Sequence, residues 1–482
     1  MYNIERLRAV FPDTTVYKDQ DVMATFRAAA VPSFLRDWIL KRKAGADGRI
    51  NDTEELSKYV ADIIPRRDQK LALIDAARQN GETKKFLARV DIQFNIKNNH
   101  YSFELSDLGI THKDTLIEDY VWNRIKNEIL QEAGGWGLVK LGYCPPEDSF
   151  DDKGHITLLE YKDFCPYTIS LDAFRESRKQ FTVQEWMDIL LGAIDYNPDG
   201  YSDWIEKHTL LTRLLPFIEP RVNLIELAPK GTGKSYLFGN VGKHGWLVNG
   251  KLTRAKLFYD MSVKKAGLVS HCDFIAMDEL QSIEFDDKEV QGLLKNYAES
   301  GTVNFGNVSI TGTAGILLLG NIPRDEMDVS QNMFSTLPVI FQESALLDRF
   351  HGFIQGKYIP RMREELKIKN WALNSEYFTE IMHLLREQSE CLCYRSVVEE
   401  IVEYPQSIDT RDKEAVLRLC TAYLKLFFPH WTKPEYVQRG EFQMYCLRHA
   451  FQMRQIIKKQ LAILDPNEYA GKSFEKIELK QL

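Results

Sequence analysis

The chain has 482 residues, 44% apolar and 27% charged, with a formal net charge of −7. At about 150 residues per domain, that length implies two to four domains of ordinary globular composition. The acidic balance excludes a polycation, so any nucleic-acid binding has to come from a local basic surface such as a channel through a ring.

Residues 1 to about 85 read as helical. Val22-Met23-Ala24-Thr25-Phe26-Arg27 and Phe34 to Leu40 place apolar residues at helical spacing. Lys41-Arg42-Lys43 closes the second helix, where cations complement the helix dipole; phosphate contact is the sharper alternative. A β signal follows. Val90, Ile92, Phe94 and Ile96 alternate with polar residues, Lys97 to His100 reads as a turn, and Tyr101 to Leu105 resumes the alternation, which predicts a hairpin. A helix is expected over Leu116–Leu130, with strands near Trp136–Tyr143 and Ile156–Tyr161. Strands plus a helix make a small barrel or an α+β module of the kind that holds single-stranded nucleic acid, although no aromatic stacking pattern marks one here.

Thr182-Val183-Gln184-Glu185 is a capping box opening a helix whose apolar face is Trp186, Ile189 and Leu190. Asn197-Pro198-Asp199-Gly200 is a turn, and a second helix runs from about Asp203 to Leu215. The boundary of a first domain, 1–175, falls just before these helices.

The rest of the chain is organised around Ala228-Pro229-Lys230-Gly231-Thr232-Gly233-Lys234-Ser235. This is a phosphate-loop pattern with Ala228 in place of the first glycine. The branched run Val222 to Leu227 before it reads as a buried strand, and Tyr236-Leu237-Phe238 after it opens a helix. Gly231 and Gly233 let backbone N–H groups face an anion, Lys234 reaches the β- and γ-phosphates of ATP, and Ser235 ligates Mg²⁺. Residues 228–236 are therefore the expected nucleotide-binding set. Trp246-Leu247-Val248 is a further strand, and Ala255 to Tyr259 reads as helical.

Cys272-Asp273-Phe274-Ile275-Ala276-Met277-Asp278-Glu279 is an apolar strand ending in two acids, with Asp278 lying 44 residues after Lys234. Asp278 is expected to join Ser235 on the metal, and Glu279 to orient or deprotonate a water. Ile316 to Gly320 is the next buried strand and ends in Asn321, an amide placed to touch a γ-phosphate and the attacking water. Between these strands, Thr302 to Thr311 reads as a hairpin turning at Gly306-Asn307. Leu346-Leu347-Asp348-Arg349-Phe350 supplies Arg349, a candidate finger toward a neighbouring subunit's γ-phosphate; a surface ion pair is the plain alternative. From about 360 the chain reads as helical, with Arg454 as a candidate second cation on the nucleotide and Arg448 as its competitor.

Seven scattered cysteines, with only Cys391 and Cys393 close together, offer no zinc spacing and suit free thiols in a reducing cytoplasm. No apolar run reaches the ~20 residues that cross a bilayer, so no membrane partner is expected.

The motif set resembles AAA+ ATPases of the MCM-like branch, in which a hairpin precedes the strand that carries the sensing Asn. More specifically, the chain resembles the BrxL family of Lon-like proteins from BREX phage-defence systems. The likeness lies in Glu226 to Ser235, Leu252 to Tyr259, Gly292 to Gly301, Leu319 to Pro323, Leu105 to Ile110 and Arg178 to Trp186. The resemblance implies an α/β fold: an AAA+ P-loop ATPase core over 176–358, a mixed α+β N-terminal domain, and an α-helical lid with a C-terminal extension over 359–482.

It also implies homo-oligomeric rings, hexameric or heptameric and in some cases stacked, that bind double-stranded DNA and act with other phage-defence proteins. Lys41, Arg42, Lys43, Arg66, Arg67, Lys84 and Lys85 are the N-terminal candidates for DNA contact. The family's Ser–Lys peptidase has no counterpart here, since no Pro-x-x-x-x-Ser-Ala-Gly segment is present, and peptidase activity is not expected of these residues. The expected hairpin carries no Lys or Arg between Val303 and Thr313. Protein remodelling, to which Phe305 on an uncharged hairpin would be suited, and slow ATP-dependent regulation of other defence subunits are the alternatives to a DNA motor.

Overall fold

The apolar runs read as buried strands meet in one sheet. A computed structural model describes residues 3–95, 99–129, 135–149, 151–262, 264–285, 289–471 and 476–481. Five strands, β1 (Leu224–Ala228), β2 (Gly245–Val248), β3 (Phe274–Met277), β4 (Gly315–Asn321) and β5 (Gly352–Gln355), form a wholly parallel sheet in the order β5-β1-β4-β3-β2. Every residue of β1 and β3 is buried, as expected for strands covered on both faces. The chain leaves β1 for the far edge at β2, works back through β3 and β4, then crosses to the other side of β1. That reversal puts the carboxyl end of β1 where open parallel sheets form their ligand crevice.

The chain divides into two compact units, and the division differs from the three-part expectation. One unit comprises residues 1–20, 32–41 and 169–482; the other comprises 21–31 and 42–168. Long-range pairing explains the difference. Thr15–Lys18 pairs antiparallel with Asn370–Leu373, and the fully buried Lys18 ammonium sits 3.1 Å from Asp37 and 2.8 Å from Asp195. The first residues thus fold with the large unit.

In that unit the capping box at Thr182 opens α1 (Val183–Ala193), and α2 (Trp204–Leu211) precedes β1. The C-terminal region is largely helical and includes α3 (Thr410–Phe427) and α4 (Arg448–Leu464), the latter packed along β5; the stretch read as helical from about 360 also holds the strand Asn370–Leu373 and the short pair Val402–Glu403 with Glu478–Leu479.

The second unit is α+β. Phe86–Arg89, Trp136–Cys144, His155–Asp163 and Thr115–Leu116 form a four-stranded sheet in that order. Asp91–Asn95 and His100–Glu104 make the expected hairpin. Its turn residues Lys97 and Asn98, with Ile96, lie outside the described residues, as does Leu130 at the end of the expected helix. That helix begins at Asp119 rather than Leu116, because Thr115 and Leu116 pair with Ile156 and Thr157 instead. Among the described residues, no helix is long and apolar enough to cross a membrane.

Candidate nucleotide-binding site

The loop after β1 takes the conformation its glycines permit. Gly231 and Gly233 both have φ +80°, and a Cβ on Gly233 would fall 2.5 Å from the Tyr196 hydroxyl. Only glycine fits there without strain. Ala228, which departs from the usual pattern, is buried at the end of β1 and is matched by Gly356 beside it: a Cβ on Gly356 would lie 2.1 Å from the Ala228 methyl. The helix after the loop is shorter than expected. Lys234–Tyr236 is α-helical, and Leu237–Val241 widens into a π-turn, a distortion that frequently marks functional sites.

The loop is braced from behind by residues that carry no motif. Arg213, fully buried, donates to both Glu226 carboxylate oxygens (2.9 and 2.5 Å) and to the Thr232 carbonyl (2.8 Å). The one legible hint was Glu226 itself, an acid inside an apolar strand, which burial forces to find a cation. The Met362 N–H donates to the Gly231 carbonyl (2.8 Å). Tyr236 turns its hydroxyl to Asp195 (2.5 Å), which is itself held by Arg36 and Lys18.

Five expected residues converge in front of the loop. Lys234 is 6% exposed, and its ammonium lies 3.0 Å from the Asn321 amide oxygen. Burial pushes its pKa down and Arg213 adds to that, while Glu226 and Asp278 oppose it. The Ser235 hydroxyl donates to the Asp278 carboxylate, so a hydroxyl and a buried carboxylate stand together as two hard oxygen donors. That pair fits Mg²⁺. Glu279 sits in the left-handed region (φ +47°, ψ 51°), with its own N–H donating to Asp278 (2.8 Å), and is exposed. Such backbone strain on a residue other than glycine is kept where it aims a side chain. These groups, with Lys230–Tyr236, Gln281, Ser282 and Met362, line a cavity of about 770 Å³, within the range of small-molecule sites.

Arg349 is not on that wall. It precedes β5 at the amino-terminal edge of the sheet and binds Glu299 through Nε (2.8 Å) and Nη2, and also the Ala345 carbonyl. The assignment of Arg454 to the nucleotide is corrected. Arg454 is fully buried, donates to Asp412 and Asp348 (2.7 Å each) and to the Asp348 and Phe350 carbonyls, and so has no side-chain nitrogen left to offer.

The hairpin forms as read. Phe305 pairs with Val308 around Gly306-Asn307, with Gly306 at φ +56°. Phe305 is half-buried, however, stacked on Tyr259 (6.1 Å) with the Arg254 guanidinium over its ring (5.8 Å). Several of the N-terminal cations are engaged locally. Lys41 donates to the Pro12 and Thr15 carbonyls, Lys43 pairs with Glu55, and Lys85 pairs with Glu160.

Residues 156–475 match the family described as Lon-like protease BrxL-like, ATPase domain. Residues 9–143 match that described as BREX system Lon protease-like protein BrxL N-terminal. The chain is 29% identical over 466 residues to the Lon-like protease BrxL of Escherichia coli O9:H4 (strain HS), covering 94% of this chain and 64% of that protein. It is 28% identical over 483 aligned residues to the Lon-like protease BrxL of Bacillus cereus (strain H3081.97), covering 98% of this chain and 68% of that protein. It thus spans about two-thirds of the length of these curated relatives.

Proposed function

The chain belongs to the BrxL family, and from that premise we propose that it is a cytoplasmic AAA+ ATPase that forms rings, binds double-stranded DNA and couples ATP hydrolysis to a motor or remodelling step in BREX-type defence. The observation that carries the reading is the meeting of Lys234, Ser235, Asp278, Glu279 and Asn321 around one cavity at the carboxyl edge of the sheet.

In this reading the loop amides and Lys234 take the charge of the β- and γ-phosphates, and Asn321, held by Lys234, orients the γ-phosphate and the attacking water. Glu279 accepts that water's proton. Ser235 and Asp278 would hold Mg²⁺, which when bound supplies positive charge to the phosphate oxygens. In this reading Arg349, on the opposite edge of the sheet, serves a neighbour's cavity rather than its own. Exchanging Glu299 for a phosphate would make it a finger, worth roughly 10³ to 10⁵ in rate in other NTPases. The helices after β5 take the part of the lid.

The protein-unfolding alternative draws less support, because Phe305 is spent on packing against Tyr259. The test is ATP turnover by the wild type with and without double-stranded DNA, with particle size and salt dependence followed in parallel. Ring-sized particles whose DNA affinity falls steeply with salt support the proposal. Turnover stimulated by an unfolded polypeptide and not by DNA overturns its DNA half.

A further inference from the structure

Arg448, the competitor that the nucleotide cavity did not absorb, lies in a second cavity. This one has a volume of about 460 Å³ and is walled by α2, the end of β5 with the residues after it, and the first half of α4. It shares no lining residue with the phosphate-loop cavity.

Its chemistry is one-sided. Three cations face it, Lys357, Arg448 and Lys459, and no Asp or Glu lies on its wall. Among the described residues, no carboxylate comes within ion-pair distance of any of the three. Arg448, Gln452, Gln455 and Lys459 recur at helical spacing along α4, so one helix face presents two cations at its ends and two amides between them. Opposite stand the aromatic rings of Trp204 and Tyr358, the first half-buried and the second 41% exposed.

Two imidazoles complete the floor. His208 and His449 stack at 3.6 Å, and Trp204 meets both edge-on, at 6.1 and 5.6 Å. His208 is 1% exposed. Its Nε2 donates to the Tyr445 carbonyl (2.9 Å), which leaves Nδ1 as an acceptor with no partner. Burial holds His208 well below the usual histidine range; burial, with Arg448 adding, brings His449 down to about 4. The rings are therefore neutral at physiological pH, and the positive field of the cavity comes from the three long side chains.

Cations with no acid at ion-pair distance attract an anion; Lys357 lies over the Tyr358 ring (5.2 Å) and feels Asp328 only at longer range. Amides read the edges of a planar polar ring, and aromatic side chains stack on its face. The volume suits one such molecule. We propose that this cavity is a second ligand site, for a nucleoside phosphate, drawn in by the joint field of Arg448, Lys459 and Lys357 and with its base against Trp204 and Tyr358. The ligand is either a free mononucleotide or one nucleotide of a strand. The site does not depend on the ATP reading of the first cavity.

The test is isothermal titration of the full chain carrying Lys234→Ala, which disables the phosphate loop, with AMP, GMP and a short single-stranded oligonucleotide. One site per chain is expected, weakened at least tenfold by Arg448→Glu and by Lys459→Glu. Both positions are exposed, and unchanged thermal melting of these variants checks their fold. Mononucleotide binding identifies a free ligand; binding of the oligonucleotide alone identifies a strand. Absence of any binding at millimolar ligand in the Lys234→Ala protein overturns the proposal. So does binding that ignores both charge reversals. Loss of ATP binding by Arg448→Glu in an otherwise wild-type chain would assign the cavity to the ATP site and overturn its separateness, leaving the phosphate-loop reading intact.

Discussion

The two edges of the central sheet are both rich in charge and use it in opposite ways. At the carboxyl edge, Lys234 and Glu279 face a cavity, and neither has an opposite charge at ion-pair distance among the described residues. At the amino edge, Arg349, Arg411 and Arg454 are matched by Glu299, Asp348 and Asp412. An arginine beside a motif is thus no guide to function until its partners are known. A cation already satisfied inside the fold stabilises the chain and has to give up its partner before it serves a ligand, whereas one left under-satisfied has interaction energy to give directly.

Breaking the amino edge should cost the most stability. Arg454→Met takes the buried guanidinium from Asp348 and Asp412 and leaves them only Arg411 and Lys458, a loss of about 3 kcal/mol by denaturant unfolding, with nucleotide affinity per folded molecule unchanged. Reduced ATP affinity at full stability would put Arg454 back at the nucleotide. The carboxyl edge should behave inversely. Lys234→Ala is expected to abolish ATP binding while changing stability by less than about 1 kcal/mol, because it removes a buried cation that no carboxylate pairs.

A pH effect belongs to the amino edge. His351 is buried and its Nδ1 accepts the Asn223 N–H (2.9 Å); burial, with Arg418 adding, holds its pKa well below the ordinary 6.5. Below pH 6.5 the unfolded chain takes up a proton that the folded chain refuses. Stability is therefore complete above 6.5 and falls with acidification, by up to about 1.4 kcal/mol per pH unit. His351→Gln should lessen the slope of melting temperature against pH in that window by one histidine's share, with His208, His430 and His449 supplying the rest.

The smallest effect is the most diagnostic. The Arg349–Glu299 pair is partly exposed, so Arg349→Ala should cost no more than about 1 kcal/mol of stability while lowering turnover of the assembled protein by orders of magnitude. A proportionate change in both would return Arg349 to a surface ion pair.

Much of this was legible in the sequence because it is written locally. An unbroken apolar run marks β1, Thr182 and Glu185 cap α1 three residues apart, and Gly306-Asn307 sets the hairpin register. The phosphate-loop residues are contiguous, and Asp278 and Asn321 end strands whose apolar character shows. What could not be read depends on distant pairing. Thr15–Lys18 finds Asn370–Leu373, Arg454 finds Asp348 across 106 residues, and Arg213 braces Thr232 from a helix without a motif. Periodicity says that a helix has a buried face; it does not say which acid an arginine on that face will meet. Arg454 therefore reads as a nucleotide contact in the sequence and stands as a buried ion pair in the structure.

The central claim, that the cavity at the carboxyl edge binds and hydrolyses ATP through these residues, is tested most directly by measuring ATP binding and turnover side by side for the wild type, Lys234→Ala and Glu279→Gln. The expected result is turnover only in the wild type, with Glu279→Gln still binding ATP at wild-type affinity and hydrolysing it at least ~100-fold more slowly, and Lys234→Ala binding none. Turnover by Glu279→Gln at the wild-type rate, or ATP binding undiminished in Lys234→Ala, would contradict it.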